Sequence, residues 1–317
     1  MQNKREILKP SRVLELRQKR RAKIRRRFFV ILFSVAAFVA GLSYLSKIEP
    51  TRIEQVVISG NDTIDTDAIL KSVQDKIIGN YVYLFSKQNG LIYPQEAIRE
   101  HVLETFKRLS DVALDLSDLH TLHVYVTERD ARYLWCGHDF NEAAGETSRA
   151  DCYYIDANGY IFSEAPYFSG DVFFKFYGTG LFNDSLAPVG QQFLSPDDFQ
   201  KLLDFRDSII ALGLQTYGLV LSPDGEYSLY IAPLSAERPI HTKIEFNKKN
   251  DLTNITENLR AALLTEPFAT DFKKKFDSLL YIDLRFTNKV YYKFAQAGGV
   301  PMISTPDASS AATATPQ

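Results

Sequence analysis

The chain has 317 residues, 45% of them hydrophobic, and a formal net charge of −2. The charge is unevenly distributed: residues 1–27 carry twelve Lys or Arg against two Glu, a net +10, so the remaining 290 residues carry −12. An acidic body argues against nucleic acid as its partner, because phosphate binding requires a basic face. Membrane orientation and attraction to anionic lipid explain the basic head.

An uncharged apolar stretch, 28–45, follows the basic head directly. Its residues rise about 1.5 Å each in a helix, which is enough to cross a hydrocarbon core of roughly 30 Å. The sequence therefore predicts a transmembrane helix at 28–46 after a cytoplasmic segment at 1–27, and the positive-inside rule places the rest of the chain on the other side. A cleaved signal peptide is the alternative, but its basic region and apolar core are usually shorter.

Residues 47–130 show the two periodicities of strands and helices in turn. A run rich in β-branched residues stops at Gly60-Asn61, as a strand ending in a turn does. Two amphipathic stretches follow, the first capped by Asp65 and the second beginning at Pro94, and two runs of alternating apolar residues come next. The predicted order is strand, helix, helix, strand, strand, at 53–59, 65–78, 94–106, 112–116 and 122–126.

Residues 131–294 predict a second, β-rich domain with packed helices. Asn158-Gly159 is a strong hairpin signal, and Ser195 begins a capped amphipathic helix. The small, polar, Pro-containing composition of 295–317 predicts a disordered tail. Strands are expected at 131–135, 153–162, 215–221, 227–232, 242–246, 281–286 and 289–294, and helices at 195–212 and 252–264.

Cys136 and Cys152 are the two cysteines of the chain. In an oxidising compartment beyond the membrane they are able to pair, and closing so short a loop contributes roughly 3 kcal/mol by the chain-entropy estimate. Two unpaired buried thiols are the alternative. A zinc site that adds His138 and Asp139 is disfavoured, because a disulfide uses the same cysteines without further ligands.

The sequence contains no recognisable catalytic motif: no HExxH, P-loop, Gly-x-Ser-x-Gly or Rossmann fingerprint. His120 and His123 are three residues apart in a predicted strand, whose two-residue period sends them to opposite faces and away from a shared metal. Asp197-Asp198 is explained by the start of a helix, where negative charge is favourable. We therefore expect no enzymatic activity, no metal and no cofactor.

Four short motifs accompany the predicted elements. They are Val57-x-x-Gly60-Asn61, Val124-x-Val126-x-Glu128-Arg129, Asp156-x-x-Gly159 and Asp283-Leu284-Arg285. Together with the order of elements they resemble the FtsQ/DivIB family of bacterial cell-division proteins, in which a POTRA domain follows a single membrane anchor. The loops at 138–150 and 168–194 are longer than the family pattern.

The resemblance implies an α+β fold: an N-terminal transmembrane helix, a POTRA domain (β-α-α-β-β) at 47–130 and a C-terminal β-rich domain at 131–294. It places the chain in the cell (inner or plasma) membrane with a cytoplasmic N-terminus. It also implies a non-enzymatic divisome scaffold, which recruits and links membrane division proteins and helps to control septal peptidoglycan synthesis and septum formation.

In this family the C-terminal sheet edge receives the FtsB partner, itself coiled with FtsL. A last strand left unpaired on one side is a template for strand addition, and we expect this chain to end in that way. The residues carried over as the partner-binding site are Arg285, Phe286, Asn288 and Val290. The alternation of 280–286 leaves another interpretation open, in which Phe286 completes the inner face of the sheet and Arg285 pairs with Asp283.

Two other classes of protein are alternatives. A POTRA-bearing export or outer-membrane assembly factor normally carries a barrel after several POTRA repeats, which does not suit one such domain behind an inner anchor. A membrane-tethered cell-wall hydrolase requires an acid–base or metal set in a cleft, and the sequence shows none. The edge strands of the POTRA segment are a second candidate interaction surface.

Overall fold

The computed structural model describes residues 11–137, 151–168, 172–178, 186–232, 242–286, 288–295 and 311–313. It divides the chain into two units, Met1–Glu128 and Arg129–Gln317. Helix and sheet are mixed in the described residues, in agreement with the predicted α+β class. The division lies two residues before the domain boundary that we placed after residue 130.

Helix α1 (Ser11–Leu45) joins the basic head to the apolar stretch without a break. Its portion Lys19–Leu45 is long and apolar enough to cross a membrane, by length and composition, and it is exposed except near its end, where Ser43 is buried. The helix begins well before the predicted residue 28, because Lys and Arg are themselves good helix formers. At 35 residues it is about 52 Å long, more than a hydrocarbon core requires.

The rest of the first unit contains the predicted strand, helix, helix, strand, strand and one extra hairpin. The elements are β1 (Gln55–Ser59), α2 (Thr66–Ile77), β2 (Asn80–Tyr81), β3 (Phe85–Ser86), α3 (Gln95–Thr105), β4 (Leu109–Leu116) and β5 (Thr121–Glu128). The three long strands form a sheet in the order β1-β5-β4, with β1 parallel and β4 antiparallel to β5. The short strands β2 and β3 pair only with each other.

Helices α2 and α3 pack against this sheet through their apolar stripes. Asp65 caps α2 by accepting a hydrogen bond from the amide of Asp67, as expected of an N-cap. The fully buried side chains come from both helices, from β4 and from β5, where every second residue points into the core. They are Ile69, Val73, Ile98, Val102, Leu109, Val112, Leu122 and Val124.

Glu128, the last residue of the central strand β5, bonds to the segment that follows β1 and to the residue that precedes β4, the two edge strands. Its Oε1 accepts hydrogen bonds from the amides of residues 62, 63 and 64 at 2.8 to 2.9 Å, and its Oε2 accepts one from Arg108 Nε at 3.0 Å. Burial opposes ionisation of this carboxyl, but the three amides and Arg108 outweigh it and lower its pKa from 4.5 to about 2. Gly60 lets the backbone after β1 approach β5 closely, since a Cβ there would lie 2.2 Å from the carbonyl oxygen of Val126.

Replacing Glu128 with Gln should destabilise the first unit at neutral pH by about 2 kcal/mol, because the neutral amide satisfies these donors less well. The folded-state pKa is depressed, so the stabilisation is complete above the ordinary pKa of 4.5 and is lost as the pH falls towards 2. Hydrogen exchange of the β5 amides should therefore be faster in the variant at pH 7, with the difference shrinking at low pH. The exposed Glu104→Gln is the control, and a difference that does not depend on pH would contradict this account.

The second unit is built on a ten-stranded sheet in the order β15-β14-β13-β12-β11-β10-β9-β6-β7-β8. Its strands are β6 (Tyr133–Trp135), β7 (Tyr153–Ile155), β8 (Ile161–Glu164), β9 (Phe174–Gly178), β10 (Thr216–Leu221), β11 (Glu226–Ile231), β12 (Thr242–Asn247), β13 (Leu279–Asp283), β14 (Lys289–Phe294) and β15 (Ala311–Thr313). Its helices are α4 (Pro196–Ala211), α5 (Leu252–Leu264) and α6 (Phe268–Lys275). The predicted strands and the helices α4 and α5 are present, whereas β9, α6 and β15 were not predicted.

The three helices pack on one face of the sheet over a core rich in aromatic rings. The parallel pairs β9–β10 and β12–β13 explain this placement, because a connection between parallel strands has to cross the sheet and these two carry α4 and then α5 with α6. Fully buried residues from helices and strands interdigitate there. They include Phe176, Phe193, Phe199, Leu229, Phe246, Leu259, Phe268 and Ile282.

Cys136 and Cys152 are joined by a disulfide in this unit. Cys136 directly follows β6 and is buried, and Cys152 directly precedes β7, so the bridge closes the loop between two paired strands. Of the alternatives open in the sequence, the structure contains the disulfide and not the free thiols or a zinc site. His138 and Asp139 lie outside the described residues.

Replacing both cysteines with Ala should lower the free energy of unfolding of the second unit by roughly 3 kcal/mol, because a 16-residue separation is no longer closed in the unfolded chain. Trp135, the only tryptophan of the chain, is buried beside Cys136 and reports urea unfolding by fluorescence. Adding a reductant to the parent chain should produce the same shift and should leave the double variant unchanged. A parent midpoint insensitive to reductant would contradict the prediction.

Candidate functional site

The hairpin β13–β14 lies near one end of the large sheet and carries the residues that the sequence singled out. Asp283 pairs with Tyr291 and Ile282 with Tyr292 in its register. Ile282 and Leu284 are buried in the core, as their alternation predicts. The strand stops at Asp283, however, so the alternation does not continue as far as Phe286.

Arg285 is held by three carboxylates. Its Nε and Nη2 donate to the two oxygens of Asp283 at 2.9 and 2.7 Å, while Nη1 lies 2.9 Å from Glu226 Oε2 and Nη2 lies 3.3 Å from Glu245 Oε2. The backbone amide of Arg285 also donates to Asp283, at 3.0 Å. The fork of the guanidinium matches the Asp283 carboxylate, a geometry that gives strong, charge-assisted hydrogen bonds.

The electrostatic surroundings keep Arg285 charged. The side-chain hydrogen bonds to Asp283 raise its pKa most, and the charges of Asp283, Glu245 and Glu226 add to this effect against the opposing effect of burial. The internal pairing is therefore the interpretation of Arg285 that the structure adopts. A carboxylate from a partner would meet a guanidinium that three carboxylates of the same chain already neutralise.

Phe286 turns outward immediately after this cluster. It is 52% exposed, and its ring meets that of Tyr291 edge-on, with centroids 5.1 Å apart. Asn288 is exposed beside it. Phe286 and Tyr291 thus form an aromatic pair on the surface, a type of residue enriched at binding hot spots.

The side chain of Val290 does not belong to this surface, so only its backbone is available to a partner strand there. Val290 is 1% exposed and packs in the core of the second unit, because the two-residue period of β14 directs it inward while Tyr291 faces the other side. Tyr291 was not among the residues predicted for the partner site, although the same two-residue period of β14 places it on the outer face. The alternation of Lys289, Tyr291 and Lys293 was the available signal for the outer face.

The sequence predicts that the outer edge of β14 is unpaired. In the structure this edge is partly paired. Strand β15 pairs antiparallel with it, placing Ala311, Ala312 and Thr313 opposite Tyr291, Val290 and Lys289. The tail that we expected to be disordered therefore contributes a three-residue strand. In the described part of the chain, no strand pairs with the outer side of the remaining half of β14, Tyr292–Phe294.

A cleft of about 520 Å³ lies between α4 and α5, within the size range of small-molecule sites. Its floor is aromatic and is formed by Phe205, Tyr227 and Phe246. Its rim carries two exposed ion pairs, Lys201–Asp198 and Arg260–Glu257. Burial and then the charge of Asp198 raise the pKa of Tyr227. Pairs one helical turn apart are ordinary surface features, so these two ion pairs do not distinguish the cleft.

His120 and His123 have structural surroundings. His120 Nδ1 lies 3.1 Å from the carbonyl oxygen of Arg52, and the His123 ring stacks on Tyr125. Among the residues that the structure describes, no group of three His, Cys, Asp or Glu side chains is arranged to hold a metal ion. The interaction surface at β13–β14 is therefore the stronger candidate site.

Neither a scan against protein-family models nor a search of curated proteins finds a match to this chain. Functional inference therefore depends on the chain's own residues. The features that carry it are the apolar helix α1, the topology of the two units and the aromatic pair beside the Arg285 cluster.

Replacing Arg285 with Ala should lower the free energy of unfolding of the second unit by about 2 kcal/mol, because the buried Asp283 carboxylate loses its bidentate partner. The measurement is urea unfolding followed by Trp135 fluorescence. Lys248→Ala removes an exposed cation on the same unit and should have little effect. Equal effects of the two substitutions would show that the cluster does not contribute to stability.

Proposed function

We propose that this protein is a non-enzymatic, single-pass membrane scaffold of the bacterial cell-division machinery, of the FtsQ/DivIB type. The basic head followed by an apolar helix supports membrane insertion with a cytoplasmic N-terminus. The β-α-α-β-β order and the sheet order β1-β5-β4 support a POTRA domain as its first folded unit. The Asp283-Leu284-Arg285 motif, which begins at the last residue of β13, supports the family assignment.

The observation that carries the proposal is the exposed Phe286 beside a thinly covered sheet edge. Strand β14 has six residues, and β15 pairs with only three of them. A partner segment that adds as a strand beside β14 would form backbone hydrogen bonds along the edge and pack against Phe286 and Tyr291. The partner class is a small single-pass protein with a coiled coil, of the FtsB and FtsL type.

The scaffold acts by bringing such partners together at the division site. Recruitment of membrane division proteins there helps to control septal peptidoglycan synthesis and septum formation. Arg285 contributes by holding the turn in place, and Phe286 contributes the contact. This division of roles differs from the expectation that both side chains touch the partner.

Phe286→Ala should weaken capture of the host's small coiled-coil division proteins by about tenfold, because it removes a central aromatic contact. The full chain in detergent is the bait, and Trp135 fluorescence checks that the second unit keeps its unfolding midpoint. Tyr125→Ala, which removes a similarly exposed aromatic ring from the first unit, is the matched control.

Removing residues 296–317 should strengthen capture, since β15 then no longer competes for the edge of β14. Capture that is unchanged by Phe286→Ala and by this truncation would exclude the edge as the binding site. Capture lost only in Tyr125→Ala would move the site to the first unit.

A further inference from the structure

The hairpin β2–β3 has an unusual tip. Its loop has three residues, Val82–Leu84. Val82 and Tyr83 have φ values of 48° and 63°, in the left-handed region that normally favours Gly, Asn or Asp. A β-branched residue there is strained, and strain of this kind is found where function requires a particular side chain. The tip therefore keeps two large apolar residues where folding alone favours Asn-Gly.

These side chains do not serve the core of the first unit. Val82 is 81% exposed and Tyr83 is 93% exposed, and the next residue, Leu84, is 41% exposed. A contiguous exposed patch of this composition at the end of a projecting hairpin marks an interaction surface. Its partner has to be apolar enough to accept Val and Leu while tolerating the tyrosine hydroxyl.

Hydrogen bonds fix the hairpin beside the last turn of α1. Ser43 Oγ, which is buried, donates to the carbonyl oxygen of Leu84 at 2.5 Å. The amide of Ser86 donates to Ser46 Oγ at 3.3 Å, and Asn89 Nδ2 donates to the carbonyl oxygen of Ser46 at 3.2 Å. The tip consequently lies at the depth of residues 43–46.

That depth corresponds to a membrane–water interface if α1 crosses the bilayer. The apolar stretch 28–45 covers about 27 Å of a roughly 30 Å hydrocarbon core, so its end lies at the boundary. Tyr44, an exposed residue near the end of α1, precedes Lys47 by three residues. Tyr83, in the hairpin loop, precedes Lys87 by four residues. Tyrosine next to a flexible cation is typical of segments at this boundary.

We propose that the tip Val82–Leu84 inserts into the interfacial layer of the same bilayer that α1 crosses, and that it fixes the orientation of the first unit on the membrane. The inference rests on the proposed membrane crossing of α1. The ligand is the lipid bilayer, because the tip is bonded to the segment that enters it.

The test uses a tryptophan at the tip as a depth reporter. The full chain carrying Tyr83→Trp is reconstituted in liposomes that contain lipids brominated near the headgroup, and the emission of the unaltered chain, which comes from Trp135, is subtracted. Insertion predicts that the brominated lipids quench the added tryptophan and that its emission shifts to shorter wavelength. Leu84→Trp should behave in the same way.

Tyr125→Trp is the matched control. Tyr125 is exposed on β5 and pairs with Ser59, four residues beyond Gln55 at the start of β1. At about 3.3 Å per residue it lies roughly 13 Å farther along the strand from the α1 end, so it should not be quenched. Unquenched tip reporters, or equal quenching at Tyr83 and Tyr125, would overturn the proposal.

Alkaline carbonate washing separates this outcome from failure of the proposed function. A chain that the wash releases would show that α1 does not cross the bilayer, and the proposed topology would then be wrong. A chain that stays in the membrane with an unquenched tip would overturn the hairpin proposal alone. Val82→Asn/Tyr83→Gly, which suits the turn, should keep the fold and abolish the quenching of Leu84→Trp.

Discussion

The bidentate pairing of Arg285 with Asp283 determines where strand β13 ends and which side chains of the β13–β14 hairpin reach the surface. Asp283 binds the backbone amide and the guanidinium of Arg285, so β13 stops there and the chain turns away. Continued alternation would have buried Phe286 with Ile282 and Leu284. The ion cluster instead leaves Phe286 on the surface against Tyr291. One charge pair therefore separates the core of the hairpin from its exposed aromatic face.

The same arrangement recurs at other turns of the chain. Glu128 accepts three backbone amides and Arg108, and Asp156 accepts the amides of Asn158 and Tyr160 beside Arg129. In each case a largely buried carboxylate satisfies amides that a turn would otherwise leave unpaired, and an arginine balances its charge. These carboxylates account for three of the four sequence motifs. The motifs thus reflect turn geometry before they reflect any binding role.

Helices and strands with a sustained apolar periodicity were predictable from the sequence. Short elements, and contacts between residues distant in the sequence, were not. Helices α4 and α5 and the hairpin β13–β14 lie within a few residues of the expected positions, because caps and periodicity are local signals. Strand β9 contains Phe174 and Phe176, but the sequence around it shows no sustained two-residue alternation. Helix α6 has only eight residues, too few for a clear helical periodicity. Neither the partners of Arg285 at Glu226 and Glu245 nor the pairing of β15 is visible without the strand register.

The edge at β14 is partly protected against pairing with another sheet, and half of it is left uncovered by β15. Lysines at 289 and 293 and the short strand β15 discourage pairing with another sheet, as edge strands generally require. Three residues of β15 nevertheless offer few hydrogen bonds, and a partner strand along all six residues of β14 would form more. Such a partner would also cover Phe286, which β15 leaves exposed. Under the proposed function, selectivity at this edge would depend on a partner strand long enough to replace β15 and apolar enough to pack on the aromatic pair.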